Sequence, residues 1–106
     1  MNDIKVSIAV DFSLTPGSRY ESEGEFSGEE FRKKILKAKY KEALENNKKL
    51  IVDLDGTYGY GTSFLEEVFG GLAREFKKDD ILDRLIFISN EEPYLIDDIK
   101  KYIREA

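Results

Sequence analysis

Three short apolar runs punctuate the chain: Ile4 to Val10, Leu50 to Leu54, and Leu85 to Ile88. Each is of strand length, and the stretches between them repeat apolar residues at helical spacing. Phe31, Ile35 and Ala38, with Leu36, Tyr40 and Leu44, form the first such stripe. Phe64, Leu65, Val68, Phe69, Leu72 and Phe76 form the second, and Leu95, Ile96, Ile99, Tyr102 and Ile103 the third. Strands alternating with helices are joined by right-handed crossovers into a largely parallel sheet with helices packed on it. Leu50-Ile51-Val52-Asp53-Leu54 is almost continuously apolar, as expected of a strand covered on both faces. The segment from Asp11 to Gly24 holds the turn dipeptide Pro16-Gly17 and little apolar content, and reads as a loop with room for one short edge strand. The predicted fold is therefore α/β: a small mixed, mostly parallel sheet of four or so strands with about three helices. It forms one domain over residues 1–106, a length at which roughly 60–70% of the unfolded surface is buried on folding.

The boundaries carry local signals. Ser27-Gly28-Glu29-Glu30 has the spacing of a capping box, with Phe26 and Phe31 placed to staple the helix start. Asn46-Asn47 ends that helix, and its lysines, Lys33, Lys34, Lys37, Lys39 and Lys41, read as a solvated face or a docking patch. Gly56 to Gly61 is a glycine-rich turn in which Gly59 and Gly61 suit positive φ and Tyr58 and Tyr60 are offered to solvent. Ser63-Phe64-Leu65-Glu66 is a second candidate capping box. Gly70-Gly71, inside the next stripe, predicts a close approach of backbones or an early helix end. Pro93 sits near the start of the last helix.

Composition removes whole classes of chemistry. The chain has no His and no Cys, so it builds neither a Ser-His-Asp or Cys-His nucleophile nor a zinc, haem or iron–sulfur site. Carboxylates remain as the only metal-ligating side chains, and they suit Mg²⁺ or Ca²⁺. With 22 Asp and Glu against 17 Lys and Arg, the net charge of -5 argues against non-specific binding to nucleic acid or a membrane surface. The opening residues lack the pattern of a signal peptide and no apolar stretch approaches roughly 20 residues, so a cytoplasmic protein without cofactors is expected.

In open α/β sheets the ligand site lies beyond the carboxyl ends of the strands, which places Asp53 to Ser63 and Ser89 to Glu92 on one edge. Gly56-x-x-x-x-Gly61-Thr62-Ser63 follows a strand and opens a helix as a phosphate loop does, but Thr62 stands where that motif has its lysine. What survives is an anion-tolerant helix start, for a ligand phosphate or for one attached to Ser63 or Thr62. Val52-Asp53-Leu54-Asp55-Gly56-Thr57 resembles the first motif of the haloacid dehalogenase superfamily, and Ile86-Phe87-Ile88-Ser89-Asn90 its second. That resemblance implies an Mg²⁺-dependent aspartyl phosphatase with Asp53 as nucleophile and Asp55 as acid/base. Lys100 and Asp97-Asp98 are the remaining candidates for its later motifs, though they also fit the polar face of a helix.

A second resemblance covers more of the chain. Ile51-Val52-Asp53-Leu54-Asp55-Gly56, then Gly61-Thr62-Ser63-Phe64-Leu65-Glu66-Glu67-Val68-Phe69-Gly70-Gly71-Leu72, resembles a bacterial family of STAS-like domains of unknown function. Asp11-Phe12, Pro16-Gly17, Arg19-Tyr20, Gly24, Ser27-Gly28-Glu29 and Phe31-Arg32 are similar to it as well. The parent fold, named for sulfate transporters and anti-sigma-factor antagonists, is a small mixed sheet with helices. The antagonist family carries a phosphorylated serine at a helix start, and its two motif serines fall here on Thr62 and Ser63, flanked by Gly61 and Phe64. The resemblance implies a non-enzymatic regulatory domain that meets a protein partner, a histidine-kinase-like ATPase or another regulator, through Tyr58, Tyr60, Gly61, Phe64 and Glu67. Ser63 is then either a phosphoacceptor or simply the helix N-cap. A further reading, an acidic surface that mimics nucleic acid to block a basic partner, rests on the net charge alone.

Overall fold

The computed structural model describes residues 3–106. Strand β1, Ile4–Ser7, runs directly into a single helical turn, α1, Ile8–Asp11. A loop containing a 3₁₀ turn at Glu21–Glu23 leads to α2, residues 28–45, in which the α-helical Gly28–Phe31 and Lys37–Glu45 are joined by a π turn at Arg32–Leu36. Strand β2, Leu50–Asp53, follows. Helix α3, residues 62–75, is built likewise from Thr62–Leu65, a π turn at Glu66–Gly70, and Gly71–Glu75. Helix α4, Lys78–Arg84, precedes β3, Leu85–Ile88, and α5, Leu95–Glu105, closes the chain.

Among the described residues the sheet has three strands in the order β1-β2-β3, both pairings parallel, with Ile4 opposite Leu50 and Leu50 opposite Leu85. A strand order that never reverses, joined by right-handed crossovers, puts every connecting helix on the same face. The burial pattern agrees. Val6, Leu50, Val52 and Leu85 are buried beneath the helices, whereas the row Lys5, Ile51 and Ile86 on the other face is half-buried or exposed, with Ile86 43% exposed. The expectation that β2 is covered on both faces is thus corrected, and β3 lies at the edge of the sheet.

Other differences have local causes. The first strand stops at Ser7 because Ser7 turns the chain: its Oγ accepts from Val10 N at 3.1 Å, and its N–H donates to Asp11 Oδ2 at 2.7 Å. The fourth, edge strand does not form, because this loop spends its backbone groups elsewhere. Gly17 N donates to Phe26 O, Gly28 N to Ser18 O and Glu29 N to Arg19 O, all within 2.9 Å. Among the described residues five helices stand where about three were expected: α1 is one addition and α4 the other. Helix α4 fully buries only Ile81, so it shows no apolar stripe. It is fixed by charge instead, Arg84 bonding to Asp80 one turn earlier and to Lys48 O at 2.8 Å.

Helix α2 begins and ends where its sequence predicts, although only the serine half of the capping box forms, Glu30 pairing with Lys34 instead. Ser27 Oγ accepts from Glu30 N at 3.0 Å, and the far end closes with Lys48 N on Ala43 O and Asn47 N on Leu44 O around Asn47 at φ 50°. The staple is indirect: Phe12 lies between Phe26 and Phe31, at 5.7 and 5.1 Å between ring centroids. The π turn adds a residue to the apolar register, so Phe31 is followed inward by Leu36, Tyr40 and Ala43, while Ala38 and Leu44 are exposed. Of the lysines, Lys33, Lys34 and Lys37 pair with Glu29, Glu30 and Glu75. Among the described residues no helix is long and apolar enough to cross a membrane.

Helices α2 and α3 meet backbone to backbone at Gly28, where a Cβ would stand 2.7 Å from Phe64 O. Gly28→Ala therefore forces the helices apart and is expected to lower stability by about 1–3 kcal/mol in urea denaturation, although alanine is the better helix former. An unchanged or higher midpoint contradicts this packing.

Candidate functional site

The two loops at the carboxyl ends of β2 and β3 lie on one edge, as expected, and hydrogen bonds tie them together. Asp55 accepts from Asn90 N at 3.1 Å and from Glu91 N at 3.0 Å, and Gly56 N donates to Glu91 Oε1 at 2.8 Å. Asp53 Oδ1 accepts from Asp55 N at 3.0 Å, with Lys5 Nζ 3.9 Å from its other oxygen, and Ser89 Oγ donates to Glu92 O at 2.7 Å. The candidate nucleophile, acid/base and second-motif serine are thus all engaged in holding loops. A sheet ordered β1-β2-β3 also lacks the reversal at which α/β sheets open a ligand crevice. Lys100 and the exposed Asp97 and Asp98 lie on α5, and no group of three or more metal-ligating side chains is gathered among the described residues.

The edge nevertheless presents a distinctive surface. The Asp53–Ser63 segment turns through Gly56 and Gly59, at φ 97° and 139°; Gly61, expected to share that conformation, is extended at φ -79°. Gly56 lies against α1, the site of its missing Cβ being 3.1 Å from Ala9 Cβ, and Tyr58 N donates to Leu14 O at 2.9 Å. These contacts bring Val10, Leu14 and Tyr58 onto one edge, 84%, 52% and 85% exposed. Tyr60, expected to share Tyr58's exposure, turns inward: its hydroxyl donates to Leu54 O at 2.7 Å and its ring lies 5.9 Å from Phe64. Burial pushes its hydroxyl pKa up to about 12.

Helix α3 starts two residues earlier than its serine suggested. Gly61 is the N-cap and makes no side-chain bond, and Ser63 sits inside the first turn, exposed beside exposed Thr62. The Ser63–Glu66 capping box does not form because Glu66 turns instead toward Arg74, 2.9 Å away, and Arg19. Two further expected contact residues are inaccessible: Phe64 is wholly buried in the aromatic core and Glu67 is only 6% exposed. Thr62, Ser63 and Gly61 instead line an open groove of about 510 Å³ whose opposite wall is Gly17 to Tyr20 and Glu23.

Behind that groove runs an ion-paired seam between α2 and α3 that no local sequence pattern revealed. Arg32 donates from Nη2 to Glu67 Oε2 at 2.7 Å, from Nε to Glu67 O at 3.1 Å and from Nη1 to Glu75 Oε2 at 2.6 Å. Gly71 makes room for it, since a Cβ there would stand 2.5 Å from Arg32 Nε. Gly70-Gly71 thus marks a close approach, and the helix continues to Glu75. Arg19, from the loop before α2, reaches Glu66 and, at 3.4 Å, Glu67. The hydrogen bond from Arg74, with that from Arg19, holds the Glu66 carboxyl below the usual range, and Lys37, then Arg32, does the same for Glu75.

Two outcomes follow for this seam and helix start. Ser27→Ala is expected to cost about 1 kcal/mol and Ser63→Ala less than about 0.5 kcal/mol in paired urea titrations, because only the first hydroxyl caps a helix; equal costs would contradict the assignment. In the unfolded chain Glu66 and Glu75 recover ordinary carboxyl pKa values, so as pH falls the unfolded state takes up protons first. Their stabilisation is whole above about pH 5 and is lost on acidification through the folded values. The stability of Glu66→Gln should accordingly decline less steeply than that of the parent between about pH 5 and 3.

Neither the comparison with curated proteins nor that with solved structures gives a match. One family model, described as a STAS-like domain of unknown function, does match, over residues 27–95. The matched span runs from the Ser27 cap through α2, β2, α3, α4 and β3 to the first residue of α5, and so holds the seam, Thr62 and Ser63. With well over half of its length matched, the chain belongs to the family of STAS-like domains of unknown function.

Proposed function

We propose that this domain is a regulatory protein-interaction module and that it meets its partner, a histidine-kinase-like ATPase or another regulator, through the edge carrying Val10, Leu14, Tyr58 and the start of α3. The observation that carries this reading is the concentration of exposed apolar side chains beside two exposed hydroxyls, Thr62 and Ser63. Apolar patches of this kind, rimmed by polar groups, mark contact surfaces, and an exposed tyrosine is a typical anchor. Phosphorylation of Ser63 gates the contact, because a dianion placed beside an apolar patch makes that patch costly to desolvate.

Tyr58→Ala and Val10→Ser remove exposed groups and should leave stability within about 0.5 kcal/mol. Each is expected to weaken binding to the protein captured by the wild-type domain by about tenfold or more, measured by titration calorimetry. Full binding by both variants would overturn the assignment of the surface. Incubation with the cognate kinase and ATP, followed by intact mass measurement, tests the gate: one added phosphoryl group that disappears in Ser63→Ala is expected, and no gain, or a gain retained in that variant, rejects Ser63.

A further inference from the structure

The three arginines near the head of α3 are not equivalent. Arg32 serves Glu67 and Glu75 from a nearly buried position, and Arg74 serves Glu66 from α3 itself. Arg19 serves Glu66 and Glu67 as well, so Glu66 has two cations and Glu67 three, Arg74 lying 4.0 Å from it. Withdrawing Arg32 would strip Glu67 of its shortest ion pair inside the protein, whereas withdrawing Arg19 leaves Glu66 with Arg74 and Glu67 with Arg32. Arg19 can therefore change partners while both carboxylates stay paired and the nearly buried Arg32 keeps its bonds.

Arg19 is also placed to do so. Its backbone is anchored, with Glu29 N on Arg19 O and Gly28 N on Ser18 O, both at 2.9 Å, so a change of partner needs only a swing of the side chain. That side chain is 27% exposed and lines the same groove as Ser63 and Thr62, with its guanidinium 5.9 Å from the Tyr20 ring centroid. Ser63 precedes Glu66 by three residues and Glu67 by four, so its hydroxyl lies one helical turn from the carboxylates Arg19 now holds. A phosphoryl group there carries between one and two negative charges and three acceptor oxygens, and a guanidinium binds it in a bidentate fashion more strongly than it binds a carboxylate.

Resting on the reading of Ser63 as the phosphoacceptor, we propose that Arg19 is the receptor of that phosphoryl group: on modification it leaves Glu66 and Glu67 and pairs with the phosphate. The γ-phosphoryl group of ATP is transferred by a protein kinase, the bond to Ser63 Oγ forming as the bond to ADP breaks and the hydroxyl proton is released. The phosphate then faces Glu23 across the groove and stands one helical turn from Glu66 and Glu67, and Arg19 offsets that repulsion while Arg74 and Arg32 hold the two helix carboxylates. Because Arg19 also stacks near Tyr20, the switch reshapes the wall of the groove next to the Tyr58 edge.

The test uses the full chain with phosphoserine incorporated at position 63 during translation, which needs no kinase. Phosphorus NMR titration should place the second phosphate pKa about one unit lower with Arg19 than in Arg19→Gln, and at an intermediate value in Arg19→Lys, which keeps the charge but not the fork. The Arg19 side-chain nitrogen resonances should shift on phosphorylation while those of Arg32 remain in place. Identical phosphate pKa values in the parent and Arg19→Gln would overturn the proposal, as would movement of Arg32 in place of Arg19. Partner binding separates this outcome from the reading beneath it. If the phosphate pKa depends on Arg19 but phosphorylated and unmodified domains bind the partner equally, the gate fails and the receptor stands; if the pKa ignores Arg19 while binding still changes, the receptor fails and the gate stands.

Discussion

The guanidinium of Arg32, held between α2 and α3 by a carboxylate and a carbonyl of the same residue, Glu67, is the interaction on which the arrangement of the helices depends. Its demands explain features that look costly in isolation. Two adjacent glycines inside α3 sacrifice helix propensity, and one of them leaves the space the guanidinium occupies. A buried ion pair need not add stability over an apolar contact of the same shape, but breaking one side of it is expensive, so it penalises every arrangement that separates its partners. Here it aligns the helices so that Gly28 rests on the Phe64 backbone and Phe31 stacks 6.4 Å from the Phe64 ring. Those contacts in turn set where the loop before α2 faces the first turn of α3.

Topology supplies the second constraint. Because the strand order never reverses, the helices share one face and the carboxyl edge has no crevice between diverging crossovers. The loops there close on each other through Asp55, which accepts two backbone N–H groups from the β3–α5 loop. Functional opportunity shifts sideways, to the groove between the Gly17–Tyr20 loop and α3 and to the apolar corner of Val10, Leu14 and Tyr58. The carboxylates that resemble catalytic ones are spent on tying loops, and the serine expected to cap a helix is left exposed.

Much of this was legible in the sequence, and what was not has physical reasons. Alternating periodicity announced the strands and the three long helices, and Ser27 and Asn46-Asn47 announced the ends of α2, because those signals are local and act within a few residues. Helix α4 escaped because it is fixed by charge rather than by an apolar face, and α1 because two short side-chain bonds outweigh the β preference of its residues. The exposure of Ala38 and Leu44 escaped because a π turn shifts the register by one residue, which a 3.6-residue template does not anticipate. The seam was invisible for a simpler reason: Arg32 and Glu67 are 35 residues apart, and Arg19 and Glu66 are 47 apart. Gly70-Gly71 was the one local trace of it, correctly hinting at a close approach without naming the side chain that fills the space.

A double-mutant cycle on Arg32 and Glu67, with each replaced singly and together by methionine and stability read from urea denaturation, tests the organising role of this pair most directly. The account predicts that each single replacement costs about 3 kcal/mol, because it takes from a nearly buried charge a close partner that its remaining ion pairs do not replace. It also predicts that the double replacement costs clearly less than the sum, with a coupling of at least about 1.5 kcal/mol. Additive costs, or single replacements each worth less than about 0.5 kcal/mol, would show that α2 and α3 are held by their apolar faces alone and would contradict the account.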